Sequence, residues 1–463
     1  MIKICRQNKE SVLEKVRNGK LDAVSLSTSN LVDEIIVAMH EKGILSCLSE
    51  SISDKRADNT FVPFEISWAL AIAAKMKIRT SLTDIPFAIT DHKTLAILGY
   101  NLLISNDELQ KGFMTEGSLR HLIGKYKSEE LFDGYNRTVQ NYMMPQMGLL
   151  PDIHILDCTK LEVNWHNTNY ESAGIVRNDE GNLVRGYKLA TLRGLTDDGG
   201  VVEEIKFGSI NEHDLSLSKD MILESPVLKN GDLLIEDRGF LSRDILNRLK
   251  TERGVDTFVP LKRNMPAYNI ATQIAQEEDN WHPHPNKKRK KQKIAFVTDL
   301  APYWESDKPQ EDVPFNACVV WNLEAKGEYD KFFVFITTNI NISAKQIIQT
   351  YELRPEIEED YRQLKDFWKL EDFKSTKLNI IAFHIICVLF GYLFFQLYTM
   401  MPQGEQYSQK SLPVVLKNYE ARALQHIVLY VDDEFGIVTI IELAEMYIEL
   451  NDNVQKILKT VLG

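Results

Sequence analysis

The sequence has few cysteines, and they lie far apart. Its 463 residues contain five, and none of them forms the close pairs of a zinc site or a disulfide framework. Long Gly, Ser or Pro tracts and internal repeats are also lacking, which argues against a disordered chain or a solenoid. We therefore expect a globular protein with reduced core thiols at Cys5, Cys47, Cys158, Cys318 and Cys387.

Hydrophobic runs are equally scarce. Met1 to Lys20 is mixed polar and charged, without the apolar stretch of a signal peptide, so we expect a cytoplasmic protein. Ile380–Met401 carries no charged residue over 22 positions and is long enough to cross a bilayer. His384 and Gln396 interrupt it, and no second such segment exists. A buried core helix is the favoured interpretation, with a transmembrane helix as the alternative.

The chain has fewer basic than acidic residues, 54 Lys and Arg against 66 Asp and Glu. The formal net charge of −12 argues against a protein that coats nucleic acid through many Lys and Arg contacts. The basic residues are nevertheless concentrated at Lys287–Lys293, which we call the basic run. It is either a solvated loop or a contact for a phosphate backbone.

Hydrophobic periodicity divides the chain into five parts. Three- and four-residue spacing predicts a helical N-terminal domain over 1–150. Alternation over 151–262 predicts three strands, a helix, a strand, a helix and a strand. This is the order of a ribonuclease-H-like core, an α/β fold with a mixed five-stranded sheet and flanking helices. A β-rich insertion over 263–341, completion of the core over 342–401 and a helical tail over 402–463 follow.

Two aspartates occupy similar places in this pattern. Asp157 ends the apolar strand Ile153–Leu156, and Asp237 follows the apolar strand Leu233–Ile235. A carboxylate at such a position commonly caps a turn. Two of them on neighbouring strands of one predicted core favour a shared cavity, partner or metal instead.

A third group of polar residues recurs at helical spacing. Tyr351, Arg354, Glu358 and Lys365 fall within about 60° of one helix face at about 100° per residue. A solvated charged face is the ordinary explanation for such a stripe. Pro355 predicts that the helix begins or bends there, which would displace Tyr351 and Arg354.

These residues resemble a known family. Tyr-x2-Arg-x3-Glu-x6-Lys is the signature of a large group of DDE transposases of bacterial insertion sequences, and Tyr351, Arg354, Glu358 and Lys365 match it. Asp157 and Asp237 resemble the two upstream acids of that family. The similarity covers about Ile153 to Phe383. Glu356, Glu359 and Asp360 crowd Glu358, but Glu358 alone shares the stripe.

The resemblance implies a function. Asp157, Asp237 and Glu358 would be catalytic and would hold two Mg²⁺ or Mn²⁺ ions. Tyr351, Arg354 and Lys365 would bind DNA phosphates. The partner would be double-stranded DNA, both the terminal inverted repeats and the target, and the N-terminal domain 1–150 would be a candidate for recognition of the DNA ends. The DNA complex would contain a homodimer, would associate with the nucleoid and would involve no membrane.

Two alternatives use the same residues. One is a ribonuclease-H-like nuclease that cuts DNA without transposing it. The other is an inactive, transposase-derived DNA-binding protein.

Overall fold

The structure is a computed structural model that describes residues 3–57, 62–99, 102–103, 114–178, 180–196, 199–304, 312–327, 330–408, 410–412, 414–416 and 424–462. The chain divides into two compact units. The sheet unit is Val139–Gln363, and the helical unit combines Met1–Thr138 with Leu364–Gly463.

A ten-stranded mixed sheet organises the described part of the sheet unit. We number its strands in chain order: β1 Ile153–Val163, β2 Gly174–Arg177, β3 Leu183–Thr196, β4 Gly199–Ser209, β5 Leu233–Glu236, β6 Asp256–Pro260, β7 His282–Pro283, β8 Gln292–Val297, β9 Asn316–Asn322 and β10 Phe332–Thr337. Their spatial order is β7-β8-β9-β10-β6-β5-β1-β3-β2, and β4 also pairs with β3. The predicted α/β class with a mixed sheet is confirmed.

The number of strands differs from the prediction. β5 lies between β1 and β6 and runs parallel to both, whereas β3 and β4 are antiparallel neighbours. We predicted five strands and a separate β-rich insertion. Instead, β10 pairs antiparallel with β6, and β7 to β9 continue from it. An open strand edge has unpaired N–H and C=O groups, and here the insertion pairs them within the same sheet.

Helices cover both faces of this sheet. Phe258 and Val259 are consecutive in β6, yet they belong to different hydrophobic clusters because alternate strand residues face opposite sides. One cluster includes Ala271, and the other includes Ile347. The helices in the described part of the sheet unit are Val139–Met143, Met144–Met147, Asp214–Glu224, Arg243–Arg248, Leu249–Arg253, Pro266–Glu278, Lys287–Arg289, Ala301–Tyr303, Ala344–Tyr351 and Pro355–Asp366. Val139–Met143 and Leu249–Arg253 are short π-helical segments.

The helical unit is built around one apolar helix, Leu378–Thr399. It is long and apolar enough to cross a membrane, but 89% of its most hydrophobic window is buried inside the protein. It packs against Phe64–Met76 and Ser128–Thr138. The core-helix interpretation is therefore confirmed. Among its described residues, this unit also contains the helices Lys9–Arg17, Leu31–Glu41, Ile44–Ser51, Leu82–Phe87, His92–Ile97, Glu116–Ile123, Glu405–Tyr407, Ile440–Tyr447 and Asp452–Leu462.

The predicted helical tail is wrong over part of its length. Leu424–Val431 and Glu434–Val438 form an antiparallel hairpin whose turn contains Asp432 at φ 57°. Ala23–Ser29 pairs with the first strand, and Arg6–Gln7 pairs with the second. The partners lie about four hundred residues away along the chain, so local periodicity did not reveal the sheet. Lys3–Ile4 pairs separately with Leu102–Leu103.

A buried charge cluster lies at the start of β1. His154 is fully buried; its Nδ1 lies 2.7 Å from Glu203 Oε2 and its Nε2 lies 3.2 Å from Asp232 Oδ2. Burial lowers the pKa of His154, but hydrogen bonds to Asp232 and Glu203 outweigh it and raise the pKa to about 9. The imidazolium therefore separates two carboxylates inside the sheet unit.

We predict that His154→Gln destabilises the protein by about 3–5 kcal/mol near neutral pH, because it leaves buried carboxylates without a counter-ion. The folded pKa of His154 lies above its ordinary 6.5, so its contribution is complete below pH 6.5 and is lost as pH rises through about 9. Urea unfolding of wild type and variant across this range measures the difference. The exposed His166→Gln is the control. A difference that does not shrink with rising pH would contradict the charged state.

Candidate active site

Two aspartates lie side by side where a pair of parallel strands separates. In the register of β1 and β5, Leu156 is opposite Glu236. Asp157 is the next residue of β1, and Asp237 is the first residue after β5. β5 ends there, whereas β1 continues to Val163 against β3 alone. The sequence placed Asp157 at a strand end, but the long partner β3 extends β1. The predicted adjacency of the two aspartates is confirmed.

Asp157 is the more buried of the two. Its Oδ1 accepts a hydrogen bond from the Cys158 amide at 2.8 Å, and its Oδ2 accepts one from Arg354 Nη2 at 3.0 Å. Burial raises the pKa of Asp157 to about 6, although Arg354 and the Cys158 amide act in the opposite direction. Asp237 and Glu358 contribute to the increase because they are like charges.

Arg354 joins the aspartates to the third acid. Its Nη1 donates to Glu358 Oε1 at 2.6 Å, and its Nη2 lies 3.9 Å from Asp237 Oδ2. The side chain of Glu358 is half exposed, whereas those of Arg354 and Asp157 are largely buried. The Arg354 guanidinium therefore lies within 4 Å of Asp157 on β1, Asp237 just after β5 and Glu358. Glu358 is on the helix Pro355–Asp366, which we call the site helix.

The four signature residues do not share one helix. Tyr351 ends the helix Ala344–Tyr351, and Arg354 lies in the turn before Pro355, where the site helix begins. The reason is that proline has no N–H for a helix interior and fits the first helical turn. The prediction of one continuous stripe is therefore wrong, although the Pro355 signal was correct.

Tyr351 and Lys365 have partners of their own. The Tyr351 ring packs against Phe335, with centroids 4.5 Å apart. Lys365 lies in the last turn of the site helix and pairs with Glu371 at 2.9 Å.

The acids that crowd Glu358 are engaged elsewhere. Arg193 of β3 pairs with Glu356 at 2.9 Å and also with Asp360, while Arg362 pairs with Glu359 at 2.5 Å. The helical twist thus directs Glu356 and Asp360 to β3 and Glu358 to Arg354.

Two residues of this arrangement were missed in the sequence. The Tyr361 hydroxyl donates to the Asp157 carbonyl at 2.8 Å and lies 2.6 Å from Thr191 Oγ1, which ties the site helix to β1 and β3. Arg193 is 5% exposed and follows the buried Leu192 in β3. A buried arginine requires an acidic partner, so the apolar neighbours of Arg193 were the available signal.

The basic run is anchored next to the same turn. Asn286, just before it, donates to Glu352 Oε1 at 3.0 Å, and Arg289 Nε lies 3.1 Å from that oxygen. Glu352 directly follows Tyr351. A cavity of about 340 Å³ lies here, lined in part by Arg289, Tyr351 and Arg354. Positive charge and open volume therefore adjoin the carboxylates.

The carboxylates are arranged around a cation, not around a metal position. Among the described residues, no group of three or more His, Cys, Asp or Glu side chains is close enough to hold a metal ion. His284, a neighbour of the basic run, accepts at Nδ1 from the Asn286 amide. The tryptophans of the insertion pack internally, Trp304 against Phe315 and Trp321 against Trp281.

Comparison with known protein families gives one match. A family model described as "Transposase DDE domain" matches residues 151–394, which is more than half of the chain. This range includes Asp157, Asp237 and Glu358. No curated protein matches the chain. The chain belongs to the DDE transposase family.

Proposed function

We propose that the protein is the transposase of a bacterial insertion sequence. It cleaves DNA at the terminal inverted repeats of its element and joins the ends to target DNA, using Asp157, Asp237 and Glu358 as catalytic acids on a ribonuclease-H-like core. The observation that carries the proposal is the convergence of these three carboxylates on Arg354. Adjacent parallel strands and a helix bring them together from distant parts of the chain.

The donor set suits divalent metal ions by its chemistry. Carboxylate oxygen is the preferred ligand of Mg²⁺ and Mn²⁺, and three carboxylates share one guanidinium here, although with Arg354 between them they do not form a group that holds a metal ion. We propose that Asp157, Asp237 and Glu358 hold two such ions. When bound, these would lower the pKa of a water or 3′-hydroxyl and stabilise the leaving oxygen of an in-line displacement.

The remaining residues position the acids and the DNA. Tyr361 and Arg193 fix the site helix against the sheet, which sets the direction of Glu358. Arg354, Tyr351 and Lys365 bind phosphates beside the scissile bond, Arg354 through its planar fork and Lys365 as a point charge.

DNA is the proposed partner, and a homodimer is the proposed assembly on it. The basic run supports DNA binding because its exposed lysines lie beside the candidate active site, despite the net charge of −12. Bacterial DNA is in the cytoplasm, so we place the activity there, at the nucleoid.

We predict that Asp157→Asn, Asp237→Asn and Glu358→Gln each lower the cleavage rate by about 100-fold or more, because each removes a negatively charged ligand needed in the transition state. Glu359→Gln is the matched control, since Glu359 is on the same helix but pairs with Arg362. The assay is cleavage and joining of duplex DNA that carries the element ends, with Mg²⁺ or Mn²⁺.

The products distinguish the alternatives. Cleavage with strand joining supports transposition, whereas cleavage without joining indicates a nuclease. Binding of the ends without cleavage by wild type indicates an inactive copy. If the three acid variants cut as fast as the Glu359 variant, the assignment of the acids is wrong.

We also predict that replacing Lys287, Lys288 and Lys290 by Gln weakens DNA binding. The slope of log K against log salt should fall by up to about 0.9 for each lysine that contacts a phosphate. Fluorescence anisotropy at several salt concentrations measures this slope. The exposed residues Lys42, Lys456 and Lys459, changed together, are the control. Equal slopes for both triple variants would show that the basic run does not contact DNA.

A further inference from the structure

We propose that Arg354 is an internal counter-ion that assembles the three carboxylates before metal binds and competes with metal for them. This inference rests on the proposed function, because it concerns the same acids. It assigns Arg354 a positioning role before DNA is present, in addition to contact with phosphate.

The contacts of Arg354 carry the inference. One terminal nitrogen donates to Glu358 and the other to Asp157, at 2.6 and 3.0 Å, and the second nitrogen also faces Asp237 at 3.9 Å. Three negative charges so close together repel one another unless a cation lies between them. Among the described residues, no ion pair joins these acids to another cation, and Arg193 and Arg362 pair with the neighbouring acids.

Guanidinium and metal compete for the same carboxylates. Arg354 occupies one lone pair each of Asp157 Oδ2 and Glu358 Oε1, and a metal ion on the remaining lone pairs would lie against the guanidinium, where two positive charges repel. Metal entry therefore drives the guanidinium away, and the cost of this displacement lowers the apparent metal affinity.

The structure provides a route for this displacement. Arg354 lies in the turn before the site helix, so its side chain can move without disturbing a helix interior. Its Nε is buried without a hydrogen-bond partner, so the present position leaves one donor unsatisfied. Arg354 also lines the 340 Å³ cavity next to the basic run, which has room for the withdrawn guanidinium.

The test is metal binding by full-length protein without DNA, measured by titration calorimetry with Mn²⁺. Arg354→Gln removes the competing charge and keeps a polar side chain. We expect it to bind Mn²⁺ about tenfold more tightly than wild type, which corresponds to about 1.4 kcal/mol. The metal-free variant should melt at a lower temperature than wild type and gain more from Mn²⁺, because its carboxylates repel until metal binds.

Arg362→Gln is the matched control. It removes the same charge from the site helix but contacts Glu359, so its Mn²⁺ affinity should equal that of wild type. Arg354→Lys serves if the Gln variant does not fold. A lysine ammonium cannot bridge Asp157 and Glu358 as the arginine guanidinium does, so this variant should also bind Mn²⁺ more tightly than wild type.

The outcomes separate the two proposals. Equal or weaker Mn²⁺ binding by the Arg354 variants, with binding by wild type, overturns the counter-ion role and leaves the proposed metal site standing. If neither wild type nor variants bind Mn²⁺, both proposals fail. If Arg362→Gln tightens binding as much as Arg354→Gln, general charge explains the effect and the specific role of Arg354 is overturned.

Discussion

The structure depends on how it keeps like charges together. Carboxylates on neighbouring strands repel one another, and burial at Asp157 strengthens that repulsion. Arg354 resolves the conflict with two short hydrogen bonds and one longer contact. The arrangement costs free energy that the surrounding core must offset, as is common at functional sites. A cation position is therefore built into the protein, and the proposed chemistry uses it.

The rest of the sheet unit serves to fix that position. The parallel pair β1 and β5 sets the spacing of the aspartates, and the antiparallel strand β3 presents Arg193 and Thr191 to the site helix. Pro355 starts that helix one residue after Arg354, so Arg354 and Glu358 face each other from a turn and a first helical turn. Deeper in the sheet, His154 applies the same principle, with one cation between two buried carboxylates.

Much of this could be predicted from local patterns. The apolar strands before Asp157 and Asp237 and the break at Pro355 appear in the structure, because each depends on neighbouring residues. The hairpin at Leu424–Val431 and the continuation of the sheet through β10 depend on distant partners, and local patterns did not reveal them. The central position of Arg354 was missed for the same reason: helical geometry predicted its pairing with Glu358 but not its contact with Asp157.

The central claim is that Asp157, Asp237 and Glu358 form one metal site in place of their contacts with Arg354. Anomalous diffraction from crystals of the full-length protein soaked in Mn²⁺ tests it most directly. The account predicts an anomalous peak within about 2.5 Å of oxygens from these carboxylates, with the Arg354 guanidinium displaced from Asp157. A peak at other residues, or no peak while Arg354 still bridges Asp157 and Glu358, would contradict it.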